Sequence, residues 1–277
     1  MNAGTAVITQ HLALGLALMD AASGQPALMP LTVSLDELPP ARRPPLTCLP
    51  SNRFVLRYHP RQSGTAQPLV VRLVPAAQGR YAPPSAHRML LPRRLALTLP
   101  TLAQAEAAAP GARACRVWLF PGPAYPIWET ATGVRIHAVR NPGNGLPRRP
   151  ARWVRLVASV PAAQADLAQA SIVARGCGDE RGEVLLLLPP AAAQPGNGAA
   201  MSVRLTLFAP PEPVPPDAGT PQRDPLWDVP LETPAGWGPD DAVLAGAELP
   251  PGYVPVAHRV VNLRLGVLAR GLADLAF

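Results

Sequence analysis

The chain contains no lysine. All 25 of its basic residues are arginine, set against 18 acids, for a net charge of +7. Charged residues make up only 16% and hydrophobic ones 48%, which excludes a charge-rich disordered polymer. Aromatics stand at 5%, too few for the stacking platforms of single-strand nucleic-acid binders. The arginines cluster no more than pairwise, as in Arg42-Arg43, Arg93-Arg94 and Arg148-Arg149, and no RNP-type or helix-turn-helix pattern accompanies them. A nucleic-acid partner is therefore not expected. Arginine-only usage follows GC-rich coding, which also supplies alanine and proline.

Three cysteines, Cys48, Cys115 and Cys177, are odd in number and lack paired spacing. That argues against a disulfide framework or a zinc site and fits folding in a reducing compartment. No run approaches the ~20 apolar residues of a membrane span. Residues 12–19 could pass for a signal-peptide core, but no basic residue precedes them and a turn, Asp20 to Pro26, follows at once. A first β-strand is the better reading.

What is abundant is proline, 38 residues, with 22 glycines. An interior proline costs a helix about 3 kcal/mol, so helical bundles and coiled coils are excluded. Apolar runs bounded by Pro, Gly, Asn or Asp recur along the chain, which is the strand signal. They cover 11–19, 28–35, 54–59, 69–74, 89–99 and 115–120, then 133–139, 153–160, 172–175, 184–188 and 201–208. Pro92 restricts the fifth run to an edge strand or a bulge. One short helix is expected over 102–109, rich in Ala and Glu and stopped by Pro110-Gly111. The series restarts after a proline-rich hinge, residues 121–126. The restart reads either as a duplication or as the grammar any two β domains share. The expectation is an all-β chain with two tandem Ig/transthyretin-like β-sandwich domains, 1–120 and 121–208. A Pro-rich extended arm and C-terminal strand, 209–277, follow.

Catalytic signatures are missing: no phosphate loop, no Rossmann fingerprint and no Gly-x-Ser-x-Gly elbow. The histidines, His11, His59, His87, His137 and His258, are isolated and read as strand or loop residues. The acid pairs Asp179-Glu180 and Asp240-Asp241 sit in turn-like settings, where acids cap and solvate. Cys177, between Gly176 and Gly178, reads as part of a flexible, basic-flanked loop that would lower a thiol pKa. No catalytic, cofactor or metal residue is assigned, and a non-enzymatic role is expected.

The turn grammar resembles carboxypeptidase-regulatory-like (transthyretin-like) β-sandwich domains. Asp20, Ser23, Gly24, Pro26, Val33 and Leu35 carry the likeness in the first half. Gly145, Leu146, Pro147, Val154 and Leu156 carry it in the second, followed by Gly182, Val184 and Leu186. Phe54 lacks the family's preceding Asp-x-Gly, and Val184 stands where an aromatic is usual. The stretch from Leu119 to Ile127, with Pro121, Pro123, Tyr125 and Pro126, is similar to the segment before such a domain in proteins encoded beside phage-tail-like contractile injection systems. The resemblance implies a structural subunit at the cap, adaptor or baseplate of such a particle. It further implies a cytoplasmic, virion-like setting, a homo-oligomeric ring or tube, and sheath, tube or baseplate proteins as partners. The alternative is a secreted adhesin or carbohydrate-binding β-sandwich.

The arm sharpens the partner expectation. Its prolines favour an extended path, and large residues punctuate it. Leu226, Trp227, Trp237 and Tyr253 are expected to anchor on a neighbouring surface. Val260, Leu263, Leu265 and Phe277 of the C-terminal segment are expected to pair either in cis or with another subunit.

Overall fold

The computed structural model describes residues 11–36, 46–58, 66–75, 88–109, 111, 113–143, 145–189, 192, 200–215, 217, 219–220, 224–236 and 241–277. The described residues are all-β apart from short helical turns. It opens with β1 (Leu12–Asp20), β2 (Leu31–Asp36), β3 (Leu46–Leu49), β4 (Arg53–Arg57), β5 (Gln67–Pro75) and β6 (Arg93–Leu99). The six-residue helix α1 (Leu102–Ala107) and β7 (Ala114–Leu119) complete the first half. Thr101 and Gln104 form a capping box at the start of α1, each satisfying the other's backbone N–H.

Two four-stranded sheets enclose the first core. One runs β3-β4-β1-β7; the other runs β14-β6-β5-β2, where β14 is the later segment Leu231–Glu232. Alternation decides which side chains go in. Leu95, Leu97 and Leu99 of β6 meet Leu14, Leu16, Leu18, Phe54 and Leu56 in one buried cluster, while Arg94 and Thr98 point the other way. The turn between β1 and β2 is built as its residues dictate. Asp20 Oδ1 accepts the Ala22 N–H at 2.8 Å, and Gly24 takes a φ of 72° that a side chain would resist.

The second half comprises β8 (Gly133–Arg140), β9 (Arg149–Pro150), β10 (Arg155–Val160), β11 (Ser171–Gly178), β12 (Glu183–Leu187) and β13 (Ala200–Ala209). The C-terminal β15 (Val254–Arg264), β16 (Leu268–Ala269) and β17 (Leu275–Ala276) join them in a nine-stranded sheet. Its path is β15-β13-β10-β11-β12-β8-β16, with β17 and β9 also on β8. Because β16 follows β15 after one tight turn, the two ends of this path lie together. Arg259 spans the remaining seam by donating to the carbonyls of Ala273 and Asp274. The rolled sheet encloses a second core that includes Ile136, Leu156, Leu186, Leu205, Leu207 and Leu263.

Several expectations are corrected here. Pro92 precedes β6 rather than interrupting it, and β6 lies between β5 and β14 instead of at an edge. Residues 209–254 are not a free extended path. They leave the end of β13 and return to β15 at the facing pair Ala209 and Val254, so they form one long excursion from a hairpin. On the way they turn at 225–228 and 242–246 and contribute β14 to the first sandwich. Of the two pairings left open for the C-terminal strand, the structure forms the one in cis, with β13.

The hinge is packed rather than loose. Pro121 bridges Leu90, and Gly122 donates to the Met89 carbonyl at 2.8 Å. A Cβ on Gly122 would lie 2.1 Å from the Arg88 carbonyl oxygen. Gly122→Ala is therefore expected to cost about 1–3 kcal/mol through forced backbone movement. Thermal unfolding should show the midpoint falling by several degrees; an unchanged midpoint would mean that this segment is not pinned against residues 88–91.

Candidate functional site

The excursion 210–253 holds eight of the chain's 18 acids and one of its 25 arginines, a local charge of −7 against +14 for the remainder. It acts as a clasp, and its acids are spaced to match arginines of both cores. Asp224, Asp228 and Glu232 recur every fourth residue.

Asp224 Oδ2 accepts from Arg72 Nη1 at 2.5 Å, while Arg72 Nε reaches Asp36 at 2.8 Å, on the outer face of the first sandwich. Asp228 meets Arg152 of the second half at 2.9 Å. Glu232 takes both halves at once. One carboxylate oxygen accepts from Arg93 of β6, through Nε at 3.1 Å and through Nη2, and the other accepts from Arg155 of β10 at 2.5 Å.

This triad is sealed from solvent: Arg93 is 1% exposed, Arg155 5% and Glu232 3%. The remaining Arg93 donors go to the carbonyls of Trp118 and Leu244, at 2.8 and 2.7 Å, and of Val243, at 2.7 Å. Arg93 therefore ties β7, β14 and residues 243–244 together. Leu244 itself is buried in the first core, and its carbonyl also accepts the Trp118 N–H at 3.0 Å. Arg155 lies over the Phe120 ring, 4.6 Å from its centre. Burial alone would raise the Glu232 carboxyl, but the charges and hydrogen bonds of Arg93 and Arg155 outweigh it and hold the group below its ordinary value.

The surroundings correct the reading of Cys177. It lies in β11, not in a loop, and it is buried; desolvation pushes its thiol up, and the nearby Arg155 charge offsets this only in part. Asp179 caps a turn as expected, accepting from the Arg181 and Glu183 N–H groups at 2.8 and 2.9 Å, yet it is buried rather than solvated. His11 faces Glu106 at 3.2 Å, and His137 Nε2 lies 2.8 Å from the Arg181 carbonyl oxygen. His59 and His87 lie outside the described residues.

The sequence-predicted partner residues separate into groups. Trp227 and Tyr253 line one cleft of about 620 Å³, walled by the clasp, by Arg72 and Arg94, and by Leu231. The Tyr253 hydroxyl donates to the Trp153 carbonyl at 3.0 Å. Leu226 is half-buried on the same clasp, and Trp237 lies outside the described residues. Val260 faces outward from β15 at 51% exposure, whereas Leu263 is committed to the second core. Leu265 is half-buried in the turn after β15. Phe277 packs at the edge of the same core beneath Arg140, 5.6 Å from the guanidinium carbon. Sequence reasoning missed Arg93, Arg155, Asp224, Asp228 and Glu232. The four-residue spacing of acids in a proline-rich, arginine-poor stretch is the signal that finds them.

Removing one partner of a buried ion pair leaves the others uncompensated, at about 3–5 kcal/mol. Glu232→Gln is expected to lose that much at neutral pH. Because the folded carboxyl titrates below its ordinary value of 4.5, its stabilisation is fully present above that value and is lost as pH falls through the lower folded value. Denaturant unfolding of both proteins across pH should show a constant gap at neutral pH that closes in acid. A gap that stays open in acid would mean that the carboxylate charge is not what braces the clasp.

Compared with protein-family models, curated proteins and solved structures, the chain finds no match in any of the three.

Proposed function

We propose that this chain is a structural, non-enzymatic subunit of a contractile injection or phage-tail-like particle, working through protein–protein contacts. The reading includes a cap, adaptor or baseplate-associated position in the cytoplasm, within the assembled particle. It also includes a body of two tandem Ig/transthyretin-like sandwiches, the second completed by the C-terminal strands. Neighbours are further copies in a ring or tube, and tube, sheath or baseplate proteins.

The observation that carries this reading is the Arg93–Glu232–Arg155 brace. It joins two β cores and the clasp into one block, which is what a part that must hold its shape under load in an assembly requires. Support also comes from β15. Its outward residues His258, Val260, Asn262 and Arg264 are exposed along a strand of 11 residues, a continuous face that a neighbouring subunit can cover.

Deleting the whole of 209–277 would remove Glu232, Leu244 and β15 from the fold, so a surface substitution is the sharper test. Tagged full-length protein, expressed in its native host, is expected to co-sediment with high-mass particles containing tube and sheath proteins. Val260→Glu should lower that incorporation by about tenfold, roughly 1.4 kcal/mol, with unchanged thermal stability. Wild-type protein found only in the low-mass fractions would overturn the reading.

A further inference from the structure

The cleft beside the clasp and the strip that rims it have complementary chemistry, and they are neighbours on one face. The strip is residues 211–215, Pro-Glu-Pro-Val-Pro, lying outside any helix or strand with every residue exposed. Its prolines fix φ near −65°, and a proline also holds the residue before it extended, here Glu212 and Val214. The sequence of the strip thus favours a polyproline II path, and Glu212 ties it to Arg140 of β8 at 3.1 Å. It starts directly after β13, and the Asp224–Arg72 ion pair fastens the clasp downstream. Val214 is 86% exposed on this ridge, an apolar side chain left almost wholly to solvent.

The adjoining cleft is what such a ridge binds. Trp227 and Tyr253 line it together with Pro230, Pro251 and Leu231, which is 44% exposed, while Arg72, Arg94, Glu212, Asp224 and Asp228 supply a charged margin. Aromatic-lined grooves take polyproline ridges by stacking prolines on ring faces and seating the intervening apolar side chain. Pro211, Pro213 and Val214 form one wall of their own cleft, so they rim it rather than fill it.

We propose that this face is a self-association surface, in which the 211–215 ridge of one copy lies in the Trp227–Tyr253 cleft of a second copy. Ligand and receptor chemistry on one patch is what a two-fold contact needs, since each copy then gives its ridge and receives the other's. The contact rests on the reading of the chain as an assembly subunit and names the copy-to-copy surface within it.

Sedimentation velocity on the full chain tests this. The wild type is expected to move from monomer to dimer with rising concentration. Val214→Arg should weaken the dimer at least about tenfold while leaving the thermal midpoint unchanged, because Val214 has no folding role to lose. A synthetic peptide of residues 209–217 should compete with dimerisation and shift tryptophan fluorescence; the same peptide carrying Val214→Arg should do neither. A protein that stays monomeric at every concentration, or a dimer indifferent to both Val214→Arg and the peptide, overturns the proposal. A monomer that still co-sediments with particles overturns this contact alone and leaves the subunit reading standing. Wild type that dimerises but stays out of particles does the reverse.

Discussion

One buried carboxylate is gripped by an arginine from each half of the fold. Two β cores joined by a short proline-rich segment would be free to change their relative position unless something crossed between them. Small apolar clusters at the junction, such as Leu91 with Phe120 and Cys177, supply part of that contact. Glu232 supplies the directional part. It lies on a two-residue strand that adds to the first sandwich, and it is gripped by an arginine from each half. Charges this deeply buried are costly unless every group is matched. Arg93 meets that condition with its five N–H groups shared among Glu232 and three carbonyls. The position of β6 against β14, and of both against β10, follows from that geometry.

The same interaction changes the meaning of the basic composition. A net charge of +7 suggests a surface looking for an anionic partner. Five of the 25 arginines, however, are directed at the chain's own clasp: Arg72, Arg93, Arg140, Arg152 and Arg155 each meet a clasp acid. The charge is segregated within the chain before it meets anything outside. Arginine suits this use better than lysine would, because its planar fork can serve two carboxylates, or a carboxylate and several carbonyls, from one fixed plane. The absence of lysine is a matter of composition; where the arginines go is set by the clasp acids they meet.

The regular strands were legible because alternation and proline punctuation survive in sequence. β1, β5, β8, β10 and β13 each lie within a residue or two of the runs that announce them. The segments β9, β14, β16 and β17 were not legible, since two residues have no period and pair only because tertiary structure brings them to an open edge. Cys177 was misread for an instructive reason. Flanking glycines suggest a loop, but here they permit close packing. A Cβ on Gly178 would lie 2.7 Å from Val154 Cγ2, and one on Gly176 would lie 3.0 Å from the Leu185 carbonyl oxygen. The glycines mark neighbouring strands pressed close, not flexibility. The brace was only half legible: the four-residue spacing of Asp224, Asp228 and Glu232 marks the acids, but nothing in the sequence says which of them is buried or which arginine it meets.

The remaining question is why a clasp rich in Leu, Val, Trp and Pro should rely on acids at all. Apolar anchors bind without direction, and an irregular segment with leucines at 226, 231 and 244 could settle in several registers at similar cost. A one-residue slip in β14 would turn Glu232 outward and Leu231 in, a change apolar burial alone would not oppose. Three carboxylates spaced four residues apart, each opposite its own arginine, remove that freedom. Any slip leaves buried guanidinium groups without a counter-charge, a penalty of about 3–5 kcal/mol against about 1.5–3 for a misplaced leucine. Hydrophobic contact therefore holds the clasp down, and the acid ladder decides where.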